Sequence, residues 1–169
     1  MYKKCKYTEK LDLVLNQLGG RGAFLNVENE NGINPMTIGW GSVGVIWSKP
    51  IFTILVRESR YTYELIEKAK YFTITVPLDN QFDNELIFCG TKSGRDIDKT
   101  LKLKLNIEDT PNKEGKWISG GDIQYVCKIV NKQKMNFDDL SVNIKNKFYP
   151  KNDKHHYYFG EIIGVYEKE

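Results

Sequence analysis

Histidine is almost missing from this 169-residue chain, which has two, adjacent, at His155 and His156. Neighbouring residues on a strand point to opposite faces, so this pair does not easily ligate one metal ion, and no third histidine could complete a set. Cysteine is scarce as well. Cys5, Cys89 and Cys127 are odd in number and far apart, without the C-x-x-C spacing of a metal or redox pair. They read as buried or incidental thiols and fit a reducing cytoplasm. Long apolar runs are lacking: none approaches the roughly 18 residues of a membrane span, and the N-terminal MYKKCKYTEK has no apolar core of the kind a secretory signal needs. A soluble, cytoplasmic protein without metal or membrane partner is expected. Charge of one sign is not in excess either, with 25 Lys and Arg against 22 Asp and Glu. The lysines are spread from Lys3 to Lys168, which reads as a solvated surface and not a nucleic-acid footprint.

Arginine is the most informative scarcity. The chain has four arginines, and two of them stand three residues apart in RESRYTY (57–63), around Ser59 and just before Thr62. The guanidinium fork matches the oxygens of carboxylate and phosphate two at a time, so its choice over lysine here points to an oxyanion. If Ser59 caps the helix that carries Leu65 and Ile66, its hydroxyl, that of Thr62 and the forks of Arg57 and Arg60 converge on a phosphate. The plainer alternative is a capped helix with two surface arginines.

At this length one domain suffices. Leu11, Val14, Leu15 and Leu18 recur at helical spacing, and Gly19-Gly20 stand where a left-handed cap would end that helix. From Ala23 the pattern becomes that of short strands: AFLNVE, a turn at NENG (29–32), and two strands within INPMTIGWGSVGVIW. KPIFTILV and YFTITVP are the clearest strands. The second alternates Phe72, Ile74 and Val76 with Thr73 and Thr75, as a half-buried strand does. TYELIEKAK between them reads as a helix, and NELIFCG as a helix turn leading to the polar loop 91–98. Residues 99–115 fit helix, strand and loop equally. DIQYVCKIVNKQ is a long strand with Ile123, Tyr125, Cys127 and Ile129 on one face. After a polar excursion, HYYFGEIIGVYEK closes the domain. Many short strands and few helices predict a mainly β barrel or sandwich with helical decoration. IFTILV and EIIGVY are hydrophobic enough to want a covering subunit.

Three further stretches carry candidate chemistry. In NPMTIGWG (34–41) the glycines let a flat ligand approach a strand and Trp40 offers an aromatic wall, although a bulged strand with a core tryptophan would look the same. CGTKSGRDIDK (89–99) has the glycines, hydroxyls and lysines of a loop that wraps a polar ligand, or of a surface turn. Cys89 ends an apolar helix with no evident base nearby, which argues against a nucleophile. In HHYYFGE (155–161), one histidine can face a ligand while the other faces away.

Together and in this order, from Asn34 to Glu161, these four segments resemble the flavin reductase-like FMN-binding family, the split-barrel flavoproteins that include flavoredoxin. The resemblance implies a mainly β fold, a Greek-key split β-barrel with a few peripheral helices spanning 1–169, and a homodimer with FMN near the subunit interface. It also assigns roles. Asn34, Met36, Thr37, Ile38, Gly39 and Trp40 would line the isoalloxazine ring. Arg57, Ser59, Arg60 and Thr62 would hold the phosphate, and Cys89, Gly90, Thr91, Lys92, Ser93 and Lys99 would close over ring and ribityl chain. Lys92 is the candidate for the donor or positive charge near N1 and O2. His156 matches the histidine four residues before a Gly-Glu pair and is the candidate catalytic residue. The chain departs from the pattern at Glu58, where proline is usual and an acid now stands beside the supposed phosphate site. It departs also at His155, which replaces an aspartate that could orient His156.

Three functions are compatible with this reading. The first is an NAD(P)H:flavin oxidoreductase that takes hydride from NADH or NADPH onto FMN and passes electrons to free flavin, a protein or a small acceptor. The second is an electron carrier of the flavoredoxin type without a nicotinamide site. The third, of another class, is a barrel that binds single-stranded nucleic acid through some of its 21 aromatic residues, against which stand the absence of a lysine stripe and aromatics on strand positions that look buried.

Overall fold

A computed structural model describes residues 1–169. Ten strands and five short helices follow in the order β1 (Tyr2–Lys4), α1 (Leu11–Gly19), β2 (Ala23–Asn29), β3 (Gly32–Ile38), β4 (Gly41–Ile46), β5 (Lys49–Arg57), α2 (Tyr61–Ile66), β6 (Tyr71–Val76), α3 (Asp83–Thr91), α4 (Lys99–Lys102), β7 (Ile107–Asp109), β8 (Lys116–Ile118), β9 (Ile123–Lys134), α5 (Val142–Phe148) and β10 (His155–Lys168). Eight strands form one sheet, paired in the order β3-β2-β6-β9-β10-β5-β4, with β1 added alongside β10. All of these pairs are antiparallel. The two ends of that path, β3 and β4, are consecutive in sequence and separated by Gly39 and Trp40 alone. A sheet whose edge strands are joined by two residues must curl until its edges meet, and the result is a barrel split at that seam.

The strand patterning explains the interior. Phe72, Ile74 and Val76 of β6 point inward with Ile123, Tyr125 and Cys127 of β9 and with Phe52, Ile54 and Val56 of β5, in a single cluster closed by Val14 and Leu18 of α1. β10 crosses this core closely. A Cβ on Gly160 would lie 2.5 Å from the Phe72 ring and 2.7 Å from Cys127, so the aromatic ring takes the space a side chain would need, at a bulge in the strand register.

Two expectations need correction here. Thr73 and Thr75 are not on a solvent face: both are buried. Thr73 donates to the Lys116 carbonyl of β8, in the small β7–β8 sheet, whose first strand lies in the stretch 99–115 that fitted no single state. Gly20 is not left-handed; the positive φ falls at Gly22, at +90°. The polar N-terminus forms β1, and the polar excursion before β10 contains α5. No helix is long and apolar enough to cross a membrane.

Candidate functional site

The barrel seam positions a two-lobed depression. The first lobe, about 170 Å³, lies against β3 and the seam and is lined by Met36, Thr37, Ile38, Gly39 and Trp40, with Leu55 and Arg57 of β5, Arg60 and His155. The second, about 130 Å³, is bounded by Ser59, Arg60 and Thr62 on one side and by Cys89, Thr91, Lys92, Ser93 and Lys99 on the other. Met36 and Arg60 line both, so the lobes are continuous. Three segments distant in sequence thus converge on one surface. Its lining includes Arg57, Arg60, Lys92, Arg95 and Lys99 and no carboxylate.

Local contacts fix this wall. Asn34 is buried and donates to Thr62 Oγ1 at 2.9 Å, which ties β3 to α2. Thr37 Oγ1 donates to the Leu86 carbonyl at 2.6 Å and holds α3 against the same strand. Gly94 belongs to this seat: a Cβ there would fall 2.0 Å from Asn34 Oδ1 and 2.8 Å from the Tyr61 ring, so only glycine lets the loop lie against them. Lys99 is buried, with Nζ donating to the Pro35 carbonyl at 2.6 Å and to that of Cys89 at 3.4 Å. Burial lowers its pKa. An ammonium has three donors, and the third is left for a ligand. Cys89 is pushed up to about 11 by burial, so its thiol stays protonated at neutral pH, in keeping with a wall residue.

The arginine turn differs from its sequence reading. Helix α2 begins at Tyr61 and its N-cap is Arg60, with no side-chain cap; Ser59 lies one residue earlier and caps nothing. Ser59 instead donates its hydroxyl to Asp153 Oδ2 at 2.6 Å and its N–H to Oδ1 at 3.2 Å. Arg57 reaches the same segment, donating to the carbonyls of Asp153 at 2.7 Å and Phe148 at 3.0 Å, with its guanidinium over the Tyr149 ring. Arg60, exposed, makes one 3.3 Å bond to the Gly90 carbonyl and keeps most of its fork free. Sequence reasoning missed Asp153, because the polar stretch that carries it has no periodicity to mark it.

The histidines are placed the other way round from the expectation. His155 faces the depression beside Trp40, their rings 5.1 Å apart, and its Nδ1 meets the Tyr149 hydroxyl at 2.8 Å. Burial and the nearby Arg57 charge lower its pKa to about 4, so it is neutral at physiological pH. His156, the expected catalytic residue, pairs across from Val56 and lies outside both lobes. Its Nε2 meets Glu58 Oε1 at 2.6 Å and its ring stands edge-on to Tyr63. The two departures from the family pattern therefore answer each other: Glu58 turns from the depression to supply the carboxylate that His156 lacks at 155.

An antiparallel barrel split beside a cationic, aromatic-walled depression defines the split-barrel class. The chain belongs to the flavin reductase-like family: the family described as "Flavin reductase like domain" matches residues 23–169. Among solved structures it is similar to flavoredoxin from Methanosarcina acetivorans, with a TM-score of 0.68 and 22% identity over 88% of this chain and 68% of that one. It is also similar to an FMN-binding domain of a flavin reductases-like enzyme from Shewanella baltica OS155, at 0.66 and 18% over 99% and 77%. A protein with a split barrel domain from Shewanella frigidimarina NCIMB 400 gives 0.68 and 16% over 98% and 76%. No curated protein matches the chain.

Proposed function

We propose that the depression binds FMN and that the protein is a flavin reductase-like oxidoreductase, taking hydride from NADH or NADPH and handing electrons to a flavin, protein or small acceptor in the cytoplasm. The observation that carries this reading is the continuous two-lobed lining of five cationic side chains without a carboxylate, between a strand with an aromatic end and a hydroxyl-bearing loop. A phosphorylated, flat, polar-edged molecule meets these features together. Such a flavin supplies the two-electron chemistry; the chain binds and orients it.

Arg60, with a free fork, takes the phosphate, and Ser59 joins it when its hydroxyl leaves Asp153. Met36, Ile38 and Trp40 offer apolar contact to the ring. Lys99, buried and fixed in place by two carbonyls as the exposed Lys92 is not, would set a positive charge beside the flavin and favour its anionic reduced form. His155 is the imidazole placed to meet the ring or the nicotinamide, as a neutral hydrogen-bonding group. The reading includes a homodimer. Edge strand β4 and the turn after it expose Val45, Ile46 and Trp47, an apolar edge that a second copy would cover beside the seam.

Anaerobic single-turnover reduction of FMN-loaded protein by NADH and NADPH tests the proposal. Rapid reduction, slowed in His155→Ala with FMN affinity kept, is expected. Reduction by nicotinamides no faster than that of free FMN, with ready reduction by dithionite, would make the protein a carrier of the flavoredoxin kind. Failure to retain FMN on desalting would overturn the proposal altogether.

A further inference from the structure

A second cavity is larger than either lobe of the depression described above. About 530 Å³ in volume, it lies between the end of α2, β6 and the turn that leads into β8, and it shares no residue with the flavin depression. Its walls are apolar where Leu65, Ala69 and Phe72 contribute. Its mouth carries Lys68, Lys70, Lys113 and Lys116 against Glu28 and Glu114. Lys116 is engaged by Asp109, whereas Lys68, Lys70 and Lys113 make no ion pair.

Asn26 lines the same cavity, is 2% exposed, and has a carbonyl oxygen with no hydrogen-bond partner. Its orientation is forced by a chain of donors. Gln124 Nε2 donates to the Ile118 carbonyl, which leaves Gln124 Oε1 to accept from Thr75 Oγ1 at 2.7 Å. Thr73 Oγ1 donates to the Lys116 carbonyl at 2.7 Å. With both hydroxyl protons committed, the two threonine oxygens can only accept, and the Asn26 amide nitrogen donates to them at 3.1 and 3.0 Å. Oδ1 is left over. A buried carbonyl without a donor is destabilising, so its persistence beside a cavity calls for a donor from outside the chain.

We infer that this cavity is a second ligand site, for a small organic anion with an apolar body, an N–H or O–H group that reaches Asn26 Oδ1, and an acidic group that faces the unpaired lysines. Indole-3-acetate has all three parts and serves as the probe, with 1-methylindole-3-acetate lacking the donor and indole-3-acetamide lacking the charge. The experiment uses FMN-saturated protein and follows amide resonances by NMR. Indole-3-acetate should saturably shift the Asn26 side-chain amide and residues 113–116, and each control should bind at least about fivefold more weakly. Asn26→Leu should abolish the preference for the N–H. Because that variant could also disturb the threonine network, Lys70→Glu with Lys113→Glu on the surface provides an independent arm, weakening binding about tenfold with an unchanged melting temperature. Equal binding of all three compounds, shifts confined to the flavin depression, or no saturable shift would overturn the inference. FMN affinity, read separately from flavin fluorescence, is not altered by the double variant, so failure here is distinct from failure of the flavin reading.

Discussion

The two cavities treat their polar groups in opposite ways. At the seam, the chain answers most of its own binding groups: Asp153 takes the hydroxyl and N–H of Ser59, carbonyls take the fork of Arg57, and Thr62 accepts from Asn34. In the second cavity three of the four lysines stand unpaired and a buried carbonyl goes without a donor. A pre-satisfied site is stable when empty and must be broken open by its ligand, while an unsatisfied one is destabilising when empty and gains from filling. The difference separates displacement from completion as ways to bind.

Arg60→Ala is the strongest way to break this comparison, since Arg60 is the phosphate candidate that the chain engages least, through one bond to the Gly90 carbonyl. FMN affinity should fall by about 1.5–3 kcal/mol, with riboflavin, which lacks the phosphate, nearly unaffected. Equal losses in fluorescence titrations with both flavins would remove the phosphate from this turn.

The neutral His155 beside Arg57 yields a pH signature of similar size. Its folded pKa of about 4 lies below the usual 6.5, so below 6.5 the unfolded chain binds the proton first and stability falls as pH drops towards 4. The contribution reaches at most about 3 kcal/mol and is fully present at pH 7. Denaturant melts from pH 7 to 4 should be flatter in His155→Asn than in the parent protein. Identical slopes would contradict a buried neutral imidazole.

Asp153→Asn acts in the reverse direction from Arg60→Ala. Removing the carboxylate that occupies Ser59 should tighten FMN by about 1 kcal/mol and leave riboflavin unchanged, as isothermal titration would read. Weaker FMN binding would mean that Asp153 supports the site and does not compete for it.

The smallest effect sharpens the contrast between two orphaned oxygens. Tyr125 has a hydroxyl without a partner, like Asn26 Oδ1, but it is fully buried in the central core and lines neither lobe nor the second cavity. Tyr125→Phe should leave stability unchanged or raise it by up to about 1 kcal/mol in urea melts. A clear loss would show that this hydroxyl has a partner after all.

Much of this was legible in the residues. Alternation located β6, β9 and β10 and put Ile123, Tyr125 and Cys127 on the face that the core uses. The segments 34–40, 57–62 and 89–99 meet around one depression, as their order suggested. What escaped depends on tertiary contact. Thr73 and Thr75 looked solvent-facing because nothing in a strand announces a hairpin from residues 107–118 lying over it. Counting back from Gly160 did not reveal which histidine faces the depression; the pairing of β10 with β5 decides that, setting His155 opposite Arg57. The competitor Asp153 sits 94 residues from Ser59, beyond any local pattern.

β10 pairs at once with β9, β5 and β1, although it is the last strand of the sheet to be made. During synthesis β2, β3, β6 and β9 can assemble as one ribbon and β4 with β5 as another, but apart from the chain link at Gly39 and Trp40 no strand pairing joins the ribbons until His155–Lys168 leaves the ribosome. Two open strand edges, one of β9 and one of β5, therefore wait for the same partner. The nascent chain is most exposed to sticking to its neighbours in that interval, and the depression, with Arg57 on one ribbon and His155 on the joining strand, is the part of the molecule finished last.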